Sequence, residues 1–104
     1  EARAAAATRA ARNRELRMLT LEMHEAEHGL AVARAGYAAA SQRLEIAERH
    51  VAMGELAYEK GEIELIELLT IKKTVISARR QAMRLQIDEK RQTALYNQAV
   101  GELP

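Results

Sequence analysis

The sequence predicts an all-α fold, a long antiparallel two-helix coiled-coil hairpin, from three observations. The composition is typical of helices, because Cys, Phe and Trp are absent, Pro occurs once, and 48% of the 104 residues are hydrophobic. Apolar residues recur at alternating three- and four-residue spacing over two long stretches. One polar break, which contains Gly61, separates these stretches and predicts the turn between the helices.

The first helix is predicted from about residue 3 to residue 58. Its apolar stripe carries no charged side chain and follows the spacing of a coiled-coil seam. The stripe consists of Leu16, Leu19, Met23, Ala26, Leu30, Ala33, Tyr37, Ala40, Leu44, Ala47, Val51, Gly54 and Tyr58. Beyond Met23, large residues alternate with Ala or Gly along this stripe, which predicts a close approach of the partner helix.

The turn is predicted over residues 59–63, and the second helix from about residue 64 to residue 101. The seam of this helix consists of Leu68, Ile71, Val75, Ala78, Ala82, Leu85, Tyr96 and Ala99. Glu89 and Gln92 occupy two positions of the same pattern, so we expect the seam to weaken there. Because the second helix is shorter, residues before about 20 are expected to lack a partner within the hairpin.

A second apolar row accompanies each seam at seven-residue spacing. On the first helix it consists of Met18, Val32, Ala39, Ile46 and Met53, interrupted once by Glu25, and on the second of Leu69, Ile76 and Met83. Two apolar rows on one helix predict two neighbouring helices, as in a larger bundle or a closed ring of helices. The alternative is a single broad stripe that faces one core in a globular bundle.

Charge and hydropathy exclude several function classes. Sixteen basic and fifteen acidic residues give a formal net charge of +1, so no strong field is available to hold nucleic acid. No uncharged apolar run has the length of a transmembrane helix, and the first residues do not resemble a signal peptide. The chain begins with Glu1 in helical sequence, which suggests a segment of a longer protein.

The most specific catalytic motif is a match to the HExxH zinc pattern at residues 24–28. It would place His24 and His28 on one face of a helix, with Glu25 as a general base. Catalytic zinc needs a third protein ligand, and His50 lies about six turns away on the same helix. We therefore predict no catalytic residue, no enzyme activity and no cofactor, and at most adventitious metal binding by His24 and His28.

The turn region is electronegative. Four acids lie near Gly61, against Lys60 as the only base: Glu59, Glu62, Glu64 and Glu67. Helix capping accounts for Glu64 and Glu67, since acids are favourable in the first turn of a helix. It does not account for Glu59 or for the apolar residues Ile63, Leu65, Ile66, Leu68 and Leu69, which are expected to surround the tip. A tip that binds a partner and a tip that is merely capped are both open hypotheses.

The tip also resembles a known family. The residues that carry the resemblance are Tyr58-Glu59-Lys60-Gly61-Glu62-Ile63-Glu64-Leu65-Ile66-Glu67-Leu68-Leu69. They are similar to the periplasmic tip of TolC family outer-membrane efflux channels, which has Tyr-x-x-Gly, a short spacer, and an acid followed by two aliphatic residues. The ending from Leu95 to Pro104 resembles the same family, and its Gly-x-Leu-Pro is closest to the CzcC-like heavy-metal efflux branch.

The resemblance implies a periplasmic hairpin that forms part of the α-barrel of a homotrimeric channel in the outer membrane of a Gram-negative bacterium. It implies docking to a periplasmic adaptor and, through it, to an inner-membrane pump, with heavy-metal cations as the exported substrate. Membrane contact would be made only by parts of the channel outside these residues. The implied adaptor contacts are Tyr58, Lys60, Gly61, Glu62 and Ile63. Glu67 would occupy the channel constriction, and Thr70 stands where a second acid is expected.

Two alternatives remain at this point. A periplasmic adaptor also carries a long coiled-coil hairpin, but its tip pattern of spaced Arg, Leu and Ser does not occur around Gly61. A purely structural coiled-coil module would have the same seam without any role for the tip.

Overall fold

The computed structural model describes residues 1–103 and consists of two α-helices joined by a short turn. Helix α1 runs over Ala2–Glu59 and helix α2 over Leu65–Gly101. Each boundary lies within one residue of its predicted position, and residues 1–103 contain no β-strand. The all-α, two-helix hairpin fold is therefore confirmed. Over the same residues, neither helix has a stretch long and apolar enough to cross a membrane.

The chain divides into two compact units, each formed by parts of both helices. The turn unit is Ala33–Glu89, and the terminal unit combines Glu1–Val32 with the chain from Lys90 onward. In each unit the buried residues belong to the predicted seams, as expected for antiparallel helices that share one stripe each.

The core of the turn unit alternates large and small side chains. Its buried residues are Ala33, Ala40 and Gly54 from α1 and Leu68, Val75 and Ala82 from α2. Ala40 is the most deeply buried of them, with 1% of its surface exposed. A Cβ atom on Gly54 would lie 3.0 Å from Cδ1 of Ile71, so the missing side chain allows the helices to approach closely. This is the close approach that the Ala and Gly positions predict.

The terminal unit has a smaller core around Leu30 and Ala99, which are both buried. The polar residue Gln92 is half-buried at its seam position. A Cβ atom on Gly29 would lie 2.7 Å from Oε1 of Gln92, so a glycine accommodates the polar side chain that interrupts the apolar pattern. Residues 1–18 are all exposed, in agreement with the expectation that the first turns of α1 extend beyond the shared seam.

Two ion pairs connect the helices along one edge of the turn unit, which we call the ion-pair edge. Lys72 Nζ lies 3.6 Å from Glu55 Oε1, and Arg79 Nη2 lies 3.8 Å from Glu48 Oε1. The pairs are seven residues apart on both helices, so they report the same antiparallel register. Because all four side chains are solvent-exposed, each pair contributes at most about 1 kcal/mol to stability.

The second apolar row remains exposed on both helices of the turn unit. Ile46 and Met53 on α1, and Leu69, Ile76 and Met83 on α2, are exposed, while Ala39 is half-buried. Met18 and Val32 in the terminal unit are exposed as well. The two helices thus cover their seams except at the two ends of the α1 stripe, where Leu16 and Tyr58 are exposed, and they leave the second rows open. Contact of these rows with further helices stays a prediction.

Candidate functional site

The candidate site is the hairpin tip, and its backbone is set by Gly61. This residue has a φ of 72°, the left-handed conformation that glycine adopts without the steric cost of a Cβ atom. The amide of Gly61 donates to the carbonyl of Tyr58 at 3.0 Å, and the amide of Glu62 donates to the carbonyl of Ala57 at 2.8 Å. These two bonds form a Schellman motif, which satisfies carbonyls at the end of α1 and turns the chain away from the helix axis.

Replacing Gly61 with alanine is expected to lower the free energy of unfolding by about 1–2 kcal/mol, the usual cost of the left-handed conformation for a residue with a Cβ atom. No heavy atom lies within 4 Å of the position that this Cβ would take, so the cost comes from the backbone alone. The measurement is thermal unfolding followed by circular dichroism.

Gly101→Ala is the matched control, because Gly101 also has open space around it but does not have a positive φ. We expect Gly101→Ala to be neutral or slightly stabilising, since alanine is favoured over glycine in a helix. Equal effects of the two substitutions would show that Gly61 has no special backbone role.

The predicted adaptor-contact residues lie together around this turn. Tyr58, Lys60, Gly61 and Glu62 are exposed, and Ile63 is half-buried. Tyr58 belongs to the last turn of α1 and is 42% exposed, so this last position of the predicted seam is not covered by α2. These contact residues therefore present an aromatic side chain, one cation and one carboxylate around the turn at Gly61.

The carboxylates of the tip are also exposed. Glu64 precedes α2, and its carbonyl accepts hydrogen bonds from the amides of Glu67 and Leu68, at 3.1 and 3.2 Å, which start the helix. Glu67 lies in the first turn of α2, where the helix dipole favours a negative charge. Within residues 1–103 neither acid forms an ion pair, nor do Glu59 and Glu62. The capping interpretation thus fits Glu64 and Glu67, while all four charges remain available to a partner or an ion.

The apolar residues near the tip divide into two groups. Leu68 is buried in the seam opposite Gly54, which corrects the expectation that it contributes to the tip surface. Leu65, Ile66 and Leu69 are exposed, as expected for residues that surround the tip. The first turns of α2 therefore combine exposed aliphatic side chains with the carboxylate of Glu67.

Thr70 follows the tip on the exposed side of α2. Its hydroxyl donates to the carbonyl of Ile66 at 2.9 Å, within the helix. The position where a second acid was expected therefore carries no charge. Glu67 is the only acid in the first turns of α2 that could line a channel constriction.

The two histidines of the HExxH match are exposed on α1. Nδ1 of His24 lies 3.8 Å from Oε2 of Glu27, and the pair is charged only when the imidazole is protonated. Residues 1–103 do not bring three or more metal-ligating side chains together anywhere, so the third ligand of a catalytic zinc site is missing next to His24 and His28. Adventitious metal binding and the lack of enzyme activity stay predictions.

The structure also contains a basic groove that the sequence reasoning did not identify. It lies between the helices of the turn unit, with a volume of about 560 Å³. The groove is lined by Arg43, Ile46, Ala47, His50, Lys73, Thr74, Ser77, Ala78 and Gln81. The signal was present in the spacing, because Arg43 and His50 each precede a seam residue, but the charges become a cluster only when Lys73 of the other helix is placed beside them.

Comparisons of the chain with protein-family models, with curated proteins and with solved structures gave no significant match. The chemistry and geometry of the tip and the exposed apolar rows are therefore the features from which a function is inferred.

Proposed function

We propose that this chain is a periplasmic hairpin of the outer-membrane channel of a tripartite efflux system, a member of the TolC family, and that its tip docks a periplasmic adaptor. The observation that carries the proposal is the exposed, conformationally defined turn at Gly61, with Tyr58, Lys60 and Glu62 around it. A turn used only to reverse the chain needs the glycine but not this surrounding surface. The resemblance of residues 58–69 to the family's tip supports the same assignment.

The exposed apolar rows support a place in a wall of helices. Ile46 lies one turn from Arg43 and His50, on the groove side of the turn unit. Ile76 lies one turn from Lys72 and Arg79, on the ion-pair edge. The hairpin therefore has uncovered apolar side chains on both of its edges. Helices that pack against a neighbour on each side need this arrangement, and a free-standing hairpin does not.

The proposed mechanism is passive conduction. The hairpin performs no chemistry, and the adaptor would shift a closed entrance toward an open one by contacting the tip better in the open state. The pump that the adaptor connects to would select the substrate, which we propose to be heavy-metal cations. In a homotrimer, three copies of Glu67 would form one acidic ring and concentrate cations at the entrance.

This mechanism predicts the effect of Glu67→Gln in the full-length channel. Removal of the acidic ring is expected to lower the preference for cations over anions, measured as a shift of the reversal potential in planar bilayers under a salt gradient. Glu45→Gln is the control, because Glu45 is an exposed acid on α1 away from the tip. Unchanged selectivity in Glu67→Gln would contradict the constriction assignment.

A purely structural coiled-coil module is the second candidate, because the exposed apolar rows would also favour association with other helices. Such a module would tolerate substitutions at Tyr58 and Glu62 without loss of function, whereas the channel assignment makes these positions sensitive. The hairpin of an adaptor protein is a further alternative that the tip sequence favours less.

A further inference from the structure

The basic groove of the turn unit runs between the two helices and could accommodate a third helix. Its floor is formed by the small side chains of Ala47 and Ala78, which allow a close approach, and Ile46 borders it with 64% of its surface exposed. Grooves between two helices with apolar contact surfaces accept amphipathic helices that insert residues at three- and four-residue spacing.

The charge of this groove is one-sided. The cations Arg43 and Lys73 line it together with the imidazole of His50, and no carboxylate does. Within residues 1–103 none of these three side chains is in an ion pair, and Arg43 Nε donates only to the carbonyl of its own helix at Ala39, at 3.4 Å.

The cations of the opposite edge differ in this respect. Lys72 and Arg79 each lie beside a glutamate of α1, so the hairpin neutralises its basic residues on the ion-pair edge. On the groove side, Arg43 and Lys73 have no carboxylate from residues 1–103 beside them. The uncompensated charge therefore belongs to the groove and is not a general property of the hairpin surface.

We propose that this groove binds an acidic amphipathic helix of a partner protein, with an apolar stripe against Ile46, Ala47 and Ala78 and carboxylates beside Arg43 and Lys73. Charge complementarity selects the acidic partner, because a basic or neutral helix would leave these cations without counter-charges. The proposal concerns a surface separate from the tip, so it is tested independently of the adaptor docking. It also rests on the proposed wall of helices in one respect, because it specifies the chemistry of the helix that would pack on the groove edge beside Ile46.

A second copy of this chain could also occupy the groove, so the experiment must distinguish it from a partner protein. In the same orientation it would bring the ion-pair edge toward the basic groove, where Glu55 and Glu48 are already paired with Lys72 and Arg79 and offer no free carboxylate to the groove. The terminal unit does contain a groove lined by Glu22, Glu25 and Glu102. Self-association through those acids is therefore an outcome to be measured.

The probe is a fluorescently labelled helical peptide with a leucine and alanine stripe flanked by glutamates, long enough to span the groove. Its control is the same peptide with lysine at every glutamate position. Fluorescence anisotropy with the 104-residue chain is expected to show on the order of tenfold tighter binding of the glutamate peptide, as a few exposed ion pairs provide. The preference should decrease as the salt concentration rises.

The variant Arg43→Glu with Lys73→Glu is expected to reverse the preference toward the lysine peptide. Lys72→Glu with Arg79→Glu is the matched control, because it makes the same change of charge on the ion-pair edge and should leave the preference for the glutamate peptide intact. If the double glutamate variant loses helicity by circular dichroism, Arg43→Gln with Lys73→Gln replaces it and should abolish the preference.

Three results would overturn the proposal. They are equal affinity for the two peptides, a preference that survives the groove variants, and a preference that the control on the ion-pair edge removes to the same extent. Analytical ultracentrifugation provides the remaining distinction. A dimer that the groove variants dissociate would identify a second copy as the occupant and would reject a separate partner.

Discussion

The Leu68→Ala chain is expected to have a free energy of unfolding about 2–5 kcal/mol below that of the parent chain, the range for truncating a buried leucine. Leu68 is 6% exposed, and its Cδ1 lies 3.5 Å from the position of a Cβ atom on Gly54. Because the facing residue is a glycine, it has no side chain that could move into the cavity. Urea or thermal unfolding followed by circular dichroism measures the loss.

Leu69→Ala is the matched control for this prediction. It makes the same truncation at the next residue of the same helix, but Leu69 is 51% exposed in the hairpin. We expect a change within about 0.5 kcal/mol, as for surface substitutions in general. Equal destabilisation by the two substitutions would contradict the seam. In the full-length channel Leu69→Ala is instead expected to weaken assembly, if the second row contacts a neighbouring helix as proposed.

The second large effect is expected from Ala40→Leu. Ala40 is the most deeply buried residue of the turn unit, at 1% exposure, and the small-residue positions around it set the separation of the helices. A leucine there must displace α2 or adopt a strained rotamer, which costs about 1–3 kcal/mol when a packed core is overfilled. The melting temperature of the chain should fall accordingly.

Ala38→Leu provides the comparison for Ala40→Leu. Ala38 lies two residues away on α1 and is exposed. Leucine and alanine have similar helix propensities, so we expect little change in the melting temperature of this variant. A similar decrease in both variants would mean that the effect comes from the helix and not from its packing.

The fold could be predicted from the sequence because its determinants are local and periodic. The alternating spacing identified the seams, and Gly61 in the polar break identified the turn, since a left-handed position at the end of a helix favours glycine. The burial of Ala40 and Leu68 and the exposure of Leu69 follow from the same periodicity.

Features that depend on pairing the two helices could not be predicted in the same way. Two such features are the contact of Gln92 with Gly29 and the ion pairs that Glu48 and Glu55 form with α2. They depend on how the two helices are aligned, and the sequence of one helix alone does not determine this alignment. The basic groove likewise combines residues from both helices. At the tip, the contact residues could be named from the sequence, but docking depends equally on the second protein, whose surface leaves no pattern in this chain.

The central claim is that the tip docks an adaptor, and site-specific disulfide crosslinking tests it most directly. These 104 residues contain no cysteine, so a single cysteine at Glu62 in the full-length channel introduces the only thiol within the hairpin. A series of single cysteines is placed along the hairpin tip of the adaptor, and a cysteine at the exposed residue Ala38 serves as the control away from the turn. The channel assignment predicts disulfide-linked pairs between position 62 and adaptor tip positions, and none with position 38. If no tip position crosslinks although both proteins are present and their thiols react with a maleimide, the docking claim is wrong and the structural coiled-coil module takes its place.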